Sequence, residues 1–96
     1  MDNEIISIIE TVAKEYNLTK DILVSRQKDD NVAEARNIAI YLCRKKNNYS
    51  AQEIGECFGN RDHTTILHAE RNVKQKMESE PEFAVKIIRI EEVVNH

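Results

Sequence analysis

A run of five polar side chains in the middle of the chain could form hydrogen bonds with the edges of DNA bases. These residues are Arg61, Asp62, His63, Thr64 and Thr65. Arginine can donate two bonds to guanine, a carboxylate can accept from cytosine, and histidine and threonine can bond to base edges. The alternative is that Asp62 and the threonines only cap a helix, and capping by Asp62 is expected in either case. Ile66 is the first apolar residue after the run, so the five side chains are free to face outward.

Two predicted helices position this run. Ser50 and Glu53 have the spacing of a capping box and open a short helix over about 51–58. Gly59-Asn60 ends that helix, and Asp62 then caps a longer helix over about 63–78. A short helix, a tight turn containing glycine and a second helix form a helix-turn-helix, whose second helix enters the major groove.

Apolar residues at helical spacing predict four further helices, over about 3–16, 20–25, 32–46 and 80–94. Thr19 caps the second of these, and residues 25–30 form a loop. Asn31 with Glu34 is predicted to form a capping box, and so is Ser79 with Glu82, where Pro81 suits the first turn. The residues predicted to face inward are Ile5, Ile8, Ile9, Val12, Ala13, Tyr16, Ile22, Leu23, Val32, Ala35, Ile38, Ala39, Leu42, Cys43, Ile54, Phe58, Ile66, Ala69, Val73, Met77, Phe83, Ile87, Ile90 and Val94. The predicted fold is all-α, one compact domain of about six helices spanning residues 1–96.

The distribution of charge is more informative than the net charge of −3. Residues 32–76 contain eight Lys or Arg and five Asp or Glu, whereas the segments on either side are acidic. A basic middle between acidic ends is consistent with one nucleic-acid face, and ordinary charge scatter explains it equally well. No apolar run is long enough to span a membrane, and the acidic N-terminus argues against a signal peptide, so a cytoplasmic protein is expected.

Enzyme and metal chemistry are not expected. Cys43, Cys57, His63 and His68 lack the spacing of a zinc site, since the histidines are five positions apart on one helix and neither cysteine has a near partner. We interpret both cysteines as buried free thiols. There is no phosphate-binding glycine loop, because the only glycines are Gly55 and Gly59. The chain is therefore predicted to hold no cofactor and no metal.

The segment from Gly59 to Ala69 resembles the signature of the C-terminal domain, domain IV, of DnaA-type bacterial replication initiators. That signature typically reads Gly-x-Arg-Asp-His-Thr-Thr-Val-Leu-His-Ala. The resemblance continues upstream through residues 53–55, Phe58, Val32, Ala33 and Arg36, and the helix order extends it over nearly the whole chain. It implies a TrpR-like helical fold that binds the DnaA box in double-stranded DNA, at replication origins, in initiation or regulation of DNA replication. It also implies a cytoplasmic, nucleoid-associated protein, with ATP bound only by a separate AAA+ domain.

The resemblance also implies residue roles. Residues 61–65 would read bases in the major groove. The predicted contacts to the DNA backbone are Arg36, Asn37 (where the family usually has Gln), Arg44 and Ser50. Arg26 and Lys28 would lie in the minor-groove loop, and Lys28 stands where the family usually has arginine.

Two departures from the family pattern predict weaker binding, steeper salt sensitivity or a shifted sequence preference. Lys28 lacks the planar fork of arginine. Asp29, Asp30 and Glu34 would add negative charge close to phosphates. The alternative function is a regulatory protein-interaction module with the same fold and weakened DNA binding, docking through its acidic helices. The isolated domain is expected to be a monomer. Whether it is a separate protein or part of a longer initiator stays open.

Overall fold

The computed structural model describes residues 3–46 and 48–95, and every regular element in these two stretches is a helix. The six helices are α1 (Asn3–Glu15), α2 (Lys20–Leu23), α3 (Asp30–Lys45), α4 (Ala51–Cys57), α5 (His63–Ser79) and α6 (Pro81–Val94). The all-α prediction is therefore confirmed. None of these helices is long and apolar enough to cross a membrane.

Helix α3 is the centre of the bundle, because it contacts α1, α2, α4 and α5. This central position explains why the apolar stripe of α3 is wide, since Ile38, Ala39 and Cys43 are all fully buried. Nearly all of the residues predicted to face inward are buried, whereas Ile22, Met77 and Val94 are only partly buried. Neither cysteine forms a disulfide, and burial raises the pKa of the Cys43 thiol to about 12. Cys57 is only partly buried, which corrects the prediction for that residue.

The capping box at the start of α4 is confirmed. The Ser50 hydroxyl accepts a hydrogen bond from the Glu53 N–H at 3.1 Å, and the Glu53 carboxylate accepts one from the Ser50 N–H at 2.9 Å. The predicted N-caps of α2 and α5 are confirmed as well, at Thr19 and Asp62. These caps work because each side chain reaches a free N–H of its own first turn.

The other two predicted capping boxes are wrong. Helix α3 begins two residues earlier than predicted, and Asp29 is its N-cap, accepting from the Val32 N–H at 2.9 Å. Ser79 is the last residue of α5, where its hydroxyl donates to the Gln75 carbonyl. Helix α6 starts from Glu80, which makes no side-chain cap, with Pro81 in the first turn as expected.

Glu34 fails to form its predicted box because tertiary partners occupy it. Its carboxylate accepts hydrogen bonds from the Tyr16 hydroxyl and from Lys76 Nζ at 2.7 Å, and Lys86 Nζ lies 3.5 Å away. Lys86 also lies over the Tyr16 ring, and Lys76 over the Phe83 ring. Burial raises the pKa of Glu34. The hydrogen bonds from Lys76 and Tyr16 and the two lysine charges together lower this pKa by more than burial raises it, so the net shift is downward. This cluster joins α1, α3, α5 and α6.

Candidate nucleic-acid interface

Helices α4 and α5 form the predicted helix-turn-helix, and two glycines allow the turn. Gly59 and Asn60 both have positive φ, 75° and 58°, which reverses the chain after α4. The Arg61 N–H donates to the Gly55 carbonyl at 2.9 Å. A Cβ added to Gly55 would lie 2.0 Å from the Arg61 carbonyl oxygen, so only glycine lets the turn approach α4 this closely.

The first turn of α5 presents three polar side chains to solvent: His63, Thr64 and Thr65 are exposed, and Ile66, directly after them, is fully buried. Asp62 is exposed too, and its Oδ1 accepts from the Thr64 N–H at 2.6 Å. That backbone hydrogen bond is the main reason why the pKa of Asp62 is lowered. A charged cap therefore orients the turn while leaving its side chains available. Base recognition by these side chains stays a prediction.

Arg61 is placed differently from its four neighbours, and its role as a base reader stays a prediction. It is only partly exposed, and its guanidinium donates to three main-chain carbonyls: Phe58, Val24 at 3.2 Å and Ser25 at 2.7 Å. Burial lowers its pKa, and the nearby charges of Arg36 and Arg26 lower it further. Because the protein itself uses these donors, Arg61 is not presented to base edges in this structure.

Arg36 also departs from its predicted contact with the DNA backbone. Its side chain is only 7% exposed. Its Nε donates to the Leu23 carbonyl at 2.9 Å, and its Nη2 donates to the Gln27 carbonyl at 2.8 Å. Burial lowers its pKa, with a further contribution from the Arg26 charge. Arg36 therefore braces the α2–α3 loop, defined here as residues 24–29, from inside the protein.

The α2–α3 loop lies against the helix-turn-helix turn. Its residues Arg26 and Lys28 are exposed, and Arg26 donates to the Gly59 carbonyl at 3.0 Å. The structure thus brings the predicted minor-groove loop next to the predicted reading helix. Asp29 caps α3 and Glu34 lies in the α1–α6 cluster, so two of the three carboxylates expected to oppose DNA are engaged within the protein.

The remaining predicted contacts lie along α3 and α4. Arg44 is partly exposed and pairs with Glu70 of α5 at 3.2 Å, while Ser50 is exposed at the start of α4. Asn37 lies in a groove of about 370 Å³, beside Asn72 and Lys76 in the second half of α5. It is therefore separated along α5 from the first-turn readers.

The roles of Arg61 and Arg36 were missed because each depends on loop carbonyls. The acceptors of Arg61 at Val24 and Ser25 are 37 and 36 residues away in the chain. No periodicity, cap or motif signals such a contact. The one available signal is that a loop without regular structure must find donors for its carbonyls. Within the described part of the chain, no group of three His, Cys, Asp or Glu could hold a metal ion.

Comparison with known families supports the helix-turn-helix geometry. The family model described as "Bacterial dnaA protein helix-turn-helix" matches residues 5–73, which span most of α1, all of α2 to α4, and α5 as far as Val73. The chain belongs to this family. The resemblance drawn from the Gly59–Ala69 segment is therefore confirmed.

Individual relatives agree with this assignment. The chromosomal replication initiator protein DnaA of Corynebacterium jeikeium is 44% identical over 70 residues, covering 73% of this chain and 12% of the relative. The corresponding protein of Methylacidiphilum infernorum is 40% identical over 81 residues, covering 84% of this chain and 18% of the relative. The DnaA-family chain thus spans less than one fifth of the length of either protein.

A solved structure shows that the whole fold is shared. The crystal structure of a DNA replication initiation factor superimposes on this chain with a TM-score of 0.85 at 33% sequence identity. The match covers 96% of this chain and 28% of the other. The all-α, DnaA domain IV type of bundle is therefore confirmed over almost the full length.

Proposed function

We propose that this DnaA-family domain binds double-stranded DNA at a DnaA-box type of sequence, with α5 in the major groove, in initiation or regulation of DNA replication. One observation carries the proposal. The first turn of α5 is capped by Asp62 and anchored by buried Ile66, and it exposes His63, Thr64 and Thr65 between them. Side chains at the N-terminal end of the second helix are the ones that meet base edges in this motif.

The residues divide into readers and positioning contacts. His63, Thr64 and Thr65 read bases, and Asp62 orients their turn while its other oxygen can accept from cytosine. Arg44 and Ser50 contact the DNA backbone, together with Asn37, which precedes Arg44 on α3. Arg44 retains partial exposure beside Glu70, so its guanidinium can exchange a carboxylate partner for a phosphate.

The second part of the interface is the α2–α3 loop. Lys28 and Arg26 are exposed on it and would face the minor groove beside α5. Glu34 is paired with Lys76 and Lys86, so its charge is compensated within the protein, whereas Asp29 and Asp30 are exposed and keep their negative charge near the loop. The charge argument for a purely protein-binding module therefore rests on Asp29 and Asp30 and no longer on Glu34.

A fluorescence-anisotropy titration tests the proposal. The chain is titrated at low salt into a labelled duplex carrying a DnaA box and into a scrambled duplex of equal length, and both are repeated as salt rises. We expect tighter binding to the box and a log-linear loss of affinity with salt. Equal affinity for both duplexes contradicts sequence reading. Binding to neither duplex, with a tight complex to a protein partner through the acidic helices, favours the alternative module.

The proposal extends to domain organisation, oligomeric state and location in the cell. We propose a single domain over residues 1–96 that binds and does not catalyse, with any ATP chemistry of a longer initiator located in a separate module. We also propose a monomer that acts in the cytoplasm at the nucleoid. Light scattering on the isolated chain tests the monomer, and a dimer mass at micromolar concentration contradicts it.

A further inference from the structure

We infer that Arg61 is a positioning residue that locks the α2–α3 loop onto the helix-turn-helix turn, so that loop and α5 form one rigid surface. The lock is a property of the free protein. Its effect on affinity rests on the proposed DNA binding. Nothing in the signature segment separates Arg61 from the reading residues beside it, and only its contacts do so.

The first observation is where the loop finds its hydrogen-bond donors. Arg61 Nη1 donates to the Val24 carbonyl at 3.2 Å and Nη2 to the Ser25 carbonyl at 2.7 Å. Arg36 donates to the carbonyls on either side, those of Leu23 and Gln27. An unpaired carbonyl in partly buried backbone is costly, so these four bonds hold the loop in one conformation.

The second observation is that the main chain of Arg61 is held as firmly as its side chain. Its N–H donates to the Gly55 carbonyl at 2.9 Å, and its own carbonyl occupies space that a Cβ at Gly55 would fill. Its guanidinium also donates to the Phe58 carbonyl. Arg61 is thus fixed to α4 by its backbone and to the loop by its fork of donors, which is the geometry of a bridge.

The third observation is the close approach of the loop to the turn at Gly59. With φ at +75°, a Cβ on Gly59 would lie 2.9 Å from the Val24 carbonyl oxygen and 3.4 Å from Arg61 Nη1. Arg26 of the loop donates back to the Gly59 carbonyl at 3.0 Å. The loop and the turn therefore contact each other in both directions, and Arg61 lies in the middle of that contact.

Lys28 is exposed on this loop, so the order of the loop decides how firmly Lys28 is positioned. A side chain contributes more to binding when its backbone is already ordered, because less conformational entropy is lost on association. With the lock intact, Lys28 is held at a set distance from the first turn of α5. Without it, Lys28 must be ordered at the moment of binding.

The lock is tested first in the free protein. Arg61→Ala is compared with Arg61→Lys and with Arg89→Ala, which removes the same charge from an exposed site on α6. We expect ¹⁵N order parameters of residues 24–28 to fall in Arg61→Ala and to fall less in Arg61→Lys, which lacks the fork but keeps a donor. Helix α3 amides and the Arg89→Ala protein should stay at wild-type values. Wild-type order of the loop in a folded Arg61→Ala protein overturns the inference.

A double-mutant cycle then tests the coupling on DNA. Lys28→Ala is expected to weaken box binding about tenfold in the wild-type background and less than about threefold in the Arg61→Lys background, because an unlocked Lys28 has already lost most of its contribution. Additive penalties overturn the coupling. If the wild-type chain binds neither duplex, the proposed function fails, whereas the order parameters still decide whether the lock exists. Should Arg61→Ala not fold, Arg61→Lys carries both measurements.

Discussion

The first turn of α5 and the α2–α3 loop both carry side chains able to contact DNA, yet the protein uses them in opposite ways. In the turn, Asp62 caps the helix and buried Ile66 anchors it to the core, and His63 remains exposed between them. In and around the loop, Arg36 and Arg61 donate to main-chain carbonyls. A regular helix satisfies its own backbone, whereas an irregular loop needs side-chain donors, and arginine offers the most.

Charge and position in a motif therefore do not identify a DNA-contacting residue by themselves. Arg61 lies within the signature segment and carries the charge that DNA attracts, but its donors are occupied. His63 and Thr64 are neither arginine nor lysine, yet both are exposed in the first turn of α5. Substitutions should therefore separate residues that brace the protein from residues that contact DNA.

The largest effect is on stability. Arg36 is only 7% exposed, and Arg36→Ala removes the donors to the Leu23 and Gln27 carbonyls, so we expect the free energy of unfolding to fall by about 3 kcal/mol. Urea denaturation followed by circular dichroism measures this loss. Arg89→Ala, an exposed arginine on α6, is the matched control and should change stability little. Equal losses in the two variants would remove the distinction between bracing and exposed arginines.

Sequence preference should depend on the first turn of α5. His63→Ala is expected to cost about 2 kcal/mol in the difference between box and scrambled duplex, because base-edge contacts have that size. Stability should change little, since His63 is exposed. Gln75→Ala, exposed three turns farther along α5, serves as control and should retain the preference. A uniform loss on both duplexes after His63→Ala would show that this residue does not read bases.

Arg44 should act on all sequences alike. Arg44→Ala is expected to weaken box and scrambled duplexes by the same factor and to lower the slope of log affinity against log salt by about 1, the loss of one phosphate contact. Lys74→Ala removes the other basic partner of Glu70 and is the matched control. An unchanged salt slope for Arg44→Ala, or an equal change for Lys74→Ala, would contradict the assignment.

The smallest effect is at acid pH. The pKa of Asp62 is lower in the folded chain than its ordinary value of 3.8, so its cap contributes stability above that value and loses it as pH falls through the folded pKa. We expect the amide shifts of residues 63–65 to titrate below pH 3.8. Asp62→Asn should keep the cap and lose the titration, since asparagine caps equally well. Titration that persists in Asp62→Asn would place its origin elsewhere.

The three predicted capping boxes show how far local sequence reaches. Ser50 and Glu53 form theirs because neither side chain has a competing partner among the described contacts. Glu34 has the same spacing from Asn31 but faces Lys76 and Tyr16, which are 42 and 18 residues away in the chain. The carboxylate of a capping residue can also bond to side chains that tertiary packing places beside it. A short stretch of sequence does not show which side chains those are.

Apolar spacing, glycine placement and the Asp62 cap were enough to predict six helices, their buried faces and the exposed start of α5, because these depend on periods and caps within single turns. The bracing roles of Arg36 and Arg61 came only from the tertiary structure. The acceptors of Arg61 at Val24 and Ser25 are 37 and 36 residues away in the chain, and those of Arg36 at Leu23 and Gln27 lie on another element. A guanidinium donates to whichever carbonyls packing places beside it.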